Sequence, residues 1–128
     1  MARCEEGYLC EVCGGDVEQI DDSDLYLRYV IGQVDPELLH TASERHLRCN
    51  PVLAQFIVDD AFAPVVVEGS FDKRTLDADY VHQREQLVTR GWRRLREAVA
   101  AGRPIIEYPL PEVRAEWERR TRGPAPEQ

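Results

Sequence analysis

Cys10-Glu11-Val12-Cys13-Gly14-Gly15 sets two thiols two residues apart and follows them with a pair of glycines. Two sulfurs at this spacing reach one tetrahedral ion at about 2.3 Å while nearby backbone amides point at the thiolates, and a following glycine permits the positive φ of such a tight turn. Redox pairs share the spacing, but there a helix opens at the second cysteine, where this chain has Gly14-Gly15. The matching half is His46-Leu47-Arg48-Cys49, which begins after 32 intervening residues and leads into Asn50-Pro51. Asn50 is a good N-cap and Pro51 suits a first helical position, so Cys49 is expected at a helix N-terminus, where the dipole favours a thiolate. The whole pattern, C-x2-C-x32-H-x2-C, offers three sulfurs and one imidazole, the set of a closed structural site for one zinc ion.

The turn Cys10 to Gly15, followed later by a ligand pair at the start of a helix, resembles the zinc knuckle of the treble-clef class of zinc modules, and similar ligand sets occur in zinc ribbons. The resemblance covers roughly residues 7 to 60 and implies metal binding through Cys10, Cys13, His46 and Cys49. It leaves function open, because that class includes nucleic-acid binders, ubiquitin-system modules, ribosomal proteins and nuclease cores. The 32-residue insertion departs from the simple hairpin of many treble clefs and is expected to carry helices. His40 and Cys4 are the alternative fourth ligands to His46. A catalytic zinc keeps one position open, and neither an H-E-x-x-H nor a deaminase pattern is present, so no catalytic residue is assigned.

The chain of 128 residues is one domain's worth, 43 % hydrophobic, with a formal charge of -8. No apolar run is long enough for a membrane span, and Met1 leads into Ala2-Arg3-Cys4-Glu5-Glu6 rather than an apolar leader; the expectation is a cytoplasmic protein without a disulfide framework. Charge is divided along the chain: residues 1–80 carry 6 basic and 17 acidic side chains, residues 81–128 carry 10 and 7. The net charge argues against nucleic-acid binding by the chain as a whole and leaves a local basic face open.

The expected fold is α+β and mainly helical: one zinc-binding domain over 1–104, with the knuckle and short strands at 7–15, inserted helices at 23–45 and the ligand-bearing helix start at 46–59. Asp24 to Gln33 reads as a helix behind the acidic cluster Asp21-Asp22-Ser23-Asp24, whose charges are explained by capping and solvation. Asp35-Pro36 opens a second helix, Thr41 and Glu44 form a capping box, and Pro51 to Asp59 makes a third helix. Ala63-Pro64-Val65-Val66-Val67-Glu68-Gly69 reads as a short strand. Val81, Val88, Trp92, Leu95 and Val99 form an apolar stripe on a long helix over 78–101, ending at Gly102. Residues 105–128 form an extended, Pro-containing tail with a short charged helix carrying Trp117.

These features favour a non-catalytic zinc module that acts through a protein partner, with Arg90, Arg93, Arg94 and Trp117 as candidate interaction residues. An alternative is a nucleic-acid-binding zinc protein using the arginines of residues 84–103. A third reading is a metalloenzyme with a labile fourth ligand.

Overall fold

Helix α3, Ala78–Ala100, is the element on which the rest is laid in this computed structural model, which describes residues 9–121. Cys4, the Gly7-Tyr8 start of the expected knuckle strand and residues 122–128 lie outside the described residues. The Asp77 carboxylate accepts from the Tyr80 N–H at one end of α3, and Gly102, at φ 68°, follows the other. Val88, Trp92, Leu95 and Ala98 are buried along one face, with Val81 and Val99 packed at its edges.

Helix α1, Asp24–Val30, crosses that face and buries Leu25, Tyr26, Leu27, Tyr29 and Val30. The two helices meet at Gly91: a Cβ there would lie 2.3 Å from Cγ2 of Ile31. Ser23 caps α1 by accepting from the Tyr26 N–H. The helix stops before the expected Gln33 because Gly32 adopts φ 91° and lets the Gln33 N–H reach the Arg28 carbonyl. The second inserted helix is a 3-10 turn, Pro36–His40.

Three local signals are overridden by longer-range bonds. Glu44 is buried and its Oε1 accepts from the Ser23 hydroxyl at 2.7 Å, so it forms no capping box with Thr41. Asn50 does not cap α2, Pro51–Ala54; its amide donates to Asp24 instead. That helix ends short of Asp59, and the Gln55 side chain, just beyond it, donates to the Val52 and Phe71 carbonyls and accepts from the Lys73 N–H.

The β content is reduced to single bridges. Leu9 pairs with Asp16, Cys10 with Glu44, Ser23 with His46 and Asp59 with Phe62. The expected strand over 63–69 pairs with nothing among the described residues, so the described chain is mainly helical rather than α+β with strands.

Beyond α3, Tyr108 and Leu110 are buried, and the Leu110 N–H donates to the Val30 carbonyl. Helix α4, Pro111–Thr121, lays Trp117 on the Tyr29 ring, with centroids 5.6 Å apart and planes 23° from parallel. No described helix is long and apolar enough to cross a membrane.

Candidate metal centre

The first ligand pair sits on a turn closed by its own backbone. The Cys10 N–H donates to Gly15 O at 2.8 Å and the Gly14 N–H to Cys10 O at 2.9 Å, with Gly14 at φ 79°. This closure aims amides at sulfur: Val12 N–H lies 3.4 Å from Cys10 Sγ, and Gly15 N–H 3.4 Å from Cys13 Sγ.

The second pair is brought alongside by residues 44–46. The Glu11 N–H donates to Glu44 O at 2.9 Å, and the Asp24 N–H to Arg45 O at 2.8 Å, so this segment lies between the cysteine turn and the start of α1. The Cys49 N–H then donates to His46 O at 3.0 Å, closing a 3-10 turn that presents both side chains together.

The His46 ring is fixed by a carbonyl. Nε2 stands 2.7 Å from Asp16 O, and a carbonyl only accepts, so Nε2 carries the proton and the Nδ1 lone pair is left for a ligand. Nδ1 is 3.4 Å from Cys13 Sγ and 3.8 Å from Cys49 Sγ. Sulfur and nitrogen ligands at the corners of a zinc tetrahedron stand roughly 3.5 to 3.8 Å apart. All four candidate ligand atoms, from Cys10, Cys13, His46 and Cys49, lie within 4.8 Å of one another, so the group can hold a metal ion.

Without a cation, the cluster divides its protons unevenly. Burial raises the Cys10 thiol, but the amides of Cys13, His46 and Val12 outweigh it and hold the thiol at about 6. Burial, reinforced by the neighbouring Cys10 and Cys13, pushes Cys49 up to about 11. Cys49 stands two residues before α2, which has only four residues, and burial is the largest influence on its thiol. His46 is raised to about 9, chiefly by its bond to the Asp16 carbonyl. A divalent ion must displace these protons, which couples its binding to pH.

Asp24 supports the ligand loop from beneath. Its side chain is fully buried and accepts from Arg28 Nε at 2.9 Å, Arg45 Nη2 at 3.0 Å and Asn50 Nδ2 at 2.7 Å. Arg45 precedes His46 and Asn50 follows Cys49, so one carboxylate grips both edges of the ligand-bearing segment. The sequence reading missed this role: Asp24 looks locally like its neighbours Asp21 and Asp22, and its partners are up to 26 residues away. Asp16 was missed as well, because its contribution is a carbonyl that every residue type possesses.

The other candidates are placed elsewhere. Arg90 pairs with Glu112 at 2.9 Å, Arg93 with Asp59, and Arg94 donates to the Glu107 and Tyr108 carbonyls. Trp117 stacks on Tyr29. No protein-family model matches this chain, and no curated protein or solved structure matches it.

Proposed function

We propose that the chain is a non-catalytic, zinc-stabilised interaction or regulatory module, in which one structural ion ties the N-terminal turn to the helical core. The observation that carries this reading is the fixed His46 tautomer: with Nε2–H committed to Asp16, Nδ1 completes a set of four protein ligands and leaves no position for substrate. A structural role follows from what the ion would join, because the four ligands come from two turns separated by α1. The arginine face draws no such support as a nucleic-acid site, since Arg90, Arg93 and Arg94 are occupied within the fold.

Metal analysis of protein purified without chelator tests the reading. One zinc per chain is expected, lost in Cys10→Ser and in Cys13→Ser, with cobalt substitution giving the absorption of a four-coordinate thiolate site. Metal-free protein that retains its unfolding midpoint, or a cobalt site that holds exchangeable water, overturns it.

A further inference from the structure

The three sulfurs of the metal centre are not equally sheltered. Cys10 is 2 % exposed, and its sulfur faces the N–H groups of Val12, Cys13 and His46. Cys13 stands at the open side: the residue is exposed, and the one described amide at its sulfur is the Gly15 N–H at 3.4 Å. Cys49 is half-buried, and no described amide donates to its sulfur. A metal-bound cysteine is a thiolate whatever its surroundings, and the thiolate is the form that reduces a peroxide. Exposure therefore selects among these sulfurs, and it selects Cys13.

The thiol that answers Cys13 is set by the same asymmetry. Cys10 lies in the same turn, but its sulfur is engaged by three amides, which draws electron density from it and weakens it as a nucleophile. Cys49 carries no such load. The Cys13 and Cys49 sulfurs both stand against His46 Nδ1, at 3.4 and 3.8 Å, and all four ligand atoms lie within 4.8 Å of one another. Closing that separation to a disulfide bond of about 2.05 Å needs an approach of less than about 3 Å.

We infer that Cys13 is a modification site for hydroperoxides, and that its oxidation closes a disulfide with Cys49 that expels the ion. This rests on the zinc reading above. The Cys13 thiolate attacks the near oxygen of the hydroperoxide; the O–O bond breaks, and the far oxygen leaves as an alcohol or water after taking a proton from solvent. The Cys49 thiolate then attacks the sulfur of the Cys13 sulfenic acid; the S–S bond forms, the S–O bond breaks, and hydroxide leaves as water with a second proton. Two thiolates have lost two electrons and one hydroperoxide has gained them. Cys10 and His46 remain, too few for a closed zinc site. The new bond spans the same two turns that the ion joined, so the N-terminal turn stays tied to the helical core after the metal leaves. A bond between Cys10 and Cys13 would sit inside one turn and join nothing.

The test adds one equivalent of hydrogen peroxide to the full chain, purified with its zinc, and follows metal release with a chromogenic chelator. Cleavage after glutamate separates the thiols, with Cys4 on residues 1–5, Cys10 on 7–11, Cys13 on 12–18 and Cys49 on 45–68, so mass spectrometry assigns the bond directly. One zinc is expected to leave for each disulfide formed, with a link between 12–18 and 45–68. A dimedone-type reagent present during oxidation should trap the sulfenic acid on 12–18. The oxidised, metal-free chain should unfold at higher urea than the reduced, metal-free chain, and a dithiol reductant with added zinc should restore one bound ion. A link between 7–11 and 12–18, a link to Cys4, trapping chiefly on 7–11 or 45–68, or no gain in urea midpoint on oxidation overturns the inference. So does zinc retained with its thiols intact, which leaves the metal reading standing. A chain that holds no zinc before oxidation overturns both, and metal analysis at the start therefore tells the two failures apart.

Discussion

Gly91 lies in the middle of α3, where alanine is ordinarily the better residue by about 1 kcal/mol. The structure predicts that Gly91→Ala is nevertheless destabilising. The added Cβ would stand 2.3 Å from Ile31 Cγ2 and 3.3 Å from Leu27 Cδ1, against an ordinary carbon contact of about 3.5 to 4.0 Å. Cγ2 moves only by turning χ1 of a β-branched side chain packed in the core, so the contact is relieved by α1 moving off α3 by roughly 1 Å. A gap of that size forfeits about a quarter to a half of each dispersion contact it opens, and Leu27, Val30, Val88, Trp92 and Leu95 all belong to the same packed cluster. Overpacking costs typically about 1 to 3 kcal/mol, and a forced separation of helices belongs at the upper end, so the net loss should be about 1 to 2 kcal/mol after the propensity gain. Urea unfolding at fixed zinc concentration measures it, since free metal would otherwise shift the midpoint. Ile31→Ala is itself costly, by about 2 to 5 kcal/mol, but the double variant should be more stable than the sum of the single changes by at least about 1 kcal/mol. A raised midpoint in Gly91→Ala, or strict additivity with Ile31→Ala, would refute the reasoning.

Asp24→Asn keeps the shape of the buried carboxylate but weakens its bonds to Arg28, Arg45 and Asn50; zinc affinity measured by chelator competition should fall about 10- to 100-fold, as when an outer-shell partner is lost. Asp59 is held below its ordinary carboxylate value by the Ala61 N–H and by Arg93. Its contribution to stability is therefore present above the ordinary value and lost as pH falls through the lower folded-state value. Asp59→Asn should be less stable than the parent at neutral pH and converge with it in strong acid, as read by urea titrations across the acid range. Trp117→Ala removes the stack on Tyr29 and should lower stability by about 1 to 2 kcal/mol, with an unchanged zinc stoichiometry separating this packing role from the metal centre.

What could be read along the chain is what depends on near neighbours. The C-x2-C and H-x2-C spacings, the stripe of α3 and the Gly102 terminus are each contained within a few turns, and the described structure has the corresponding features. The misreadings share one cause: a polar side chain with a good local use is drawn to a distant one. Glu44 leaves Thr41 for Ser23, and Asn50 leaves its helix for Asp24. In each case a buried donor or acceptor elsewhere would otherwise go unpaired, and that cost of about 1 to 3 kcal/mol exceeds most of what a cap contributes. The valine run shows the converse. Its β preference is plain in the composition, but a ladder needs a second strand, and composition cannot say where that strand comes from.

The position of the ligands along the chain also sets an order of events during synthesis. Cys49, the last of the four, is made 51 residues before Ala100 closes α3. At about 5 to 20 residues per second that is an interval of roughly 3 to 10 s. At its start the full set of thiols and the imidazole exists, while Val88, Trp92, Leu95 and Ala98, the wall against which α1 packs, are still 39 to 49 residues away. Metal capture can thus precede the core, and the ion, rather than the helices, would then hold the nascent N-terminal half together until translation supplies the rest.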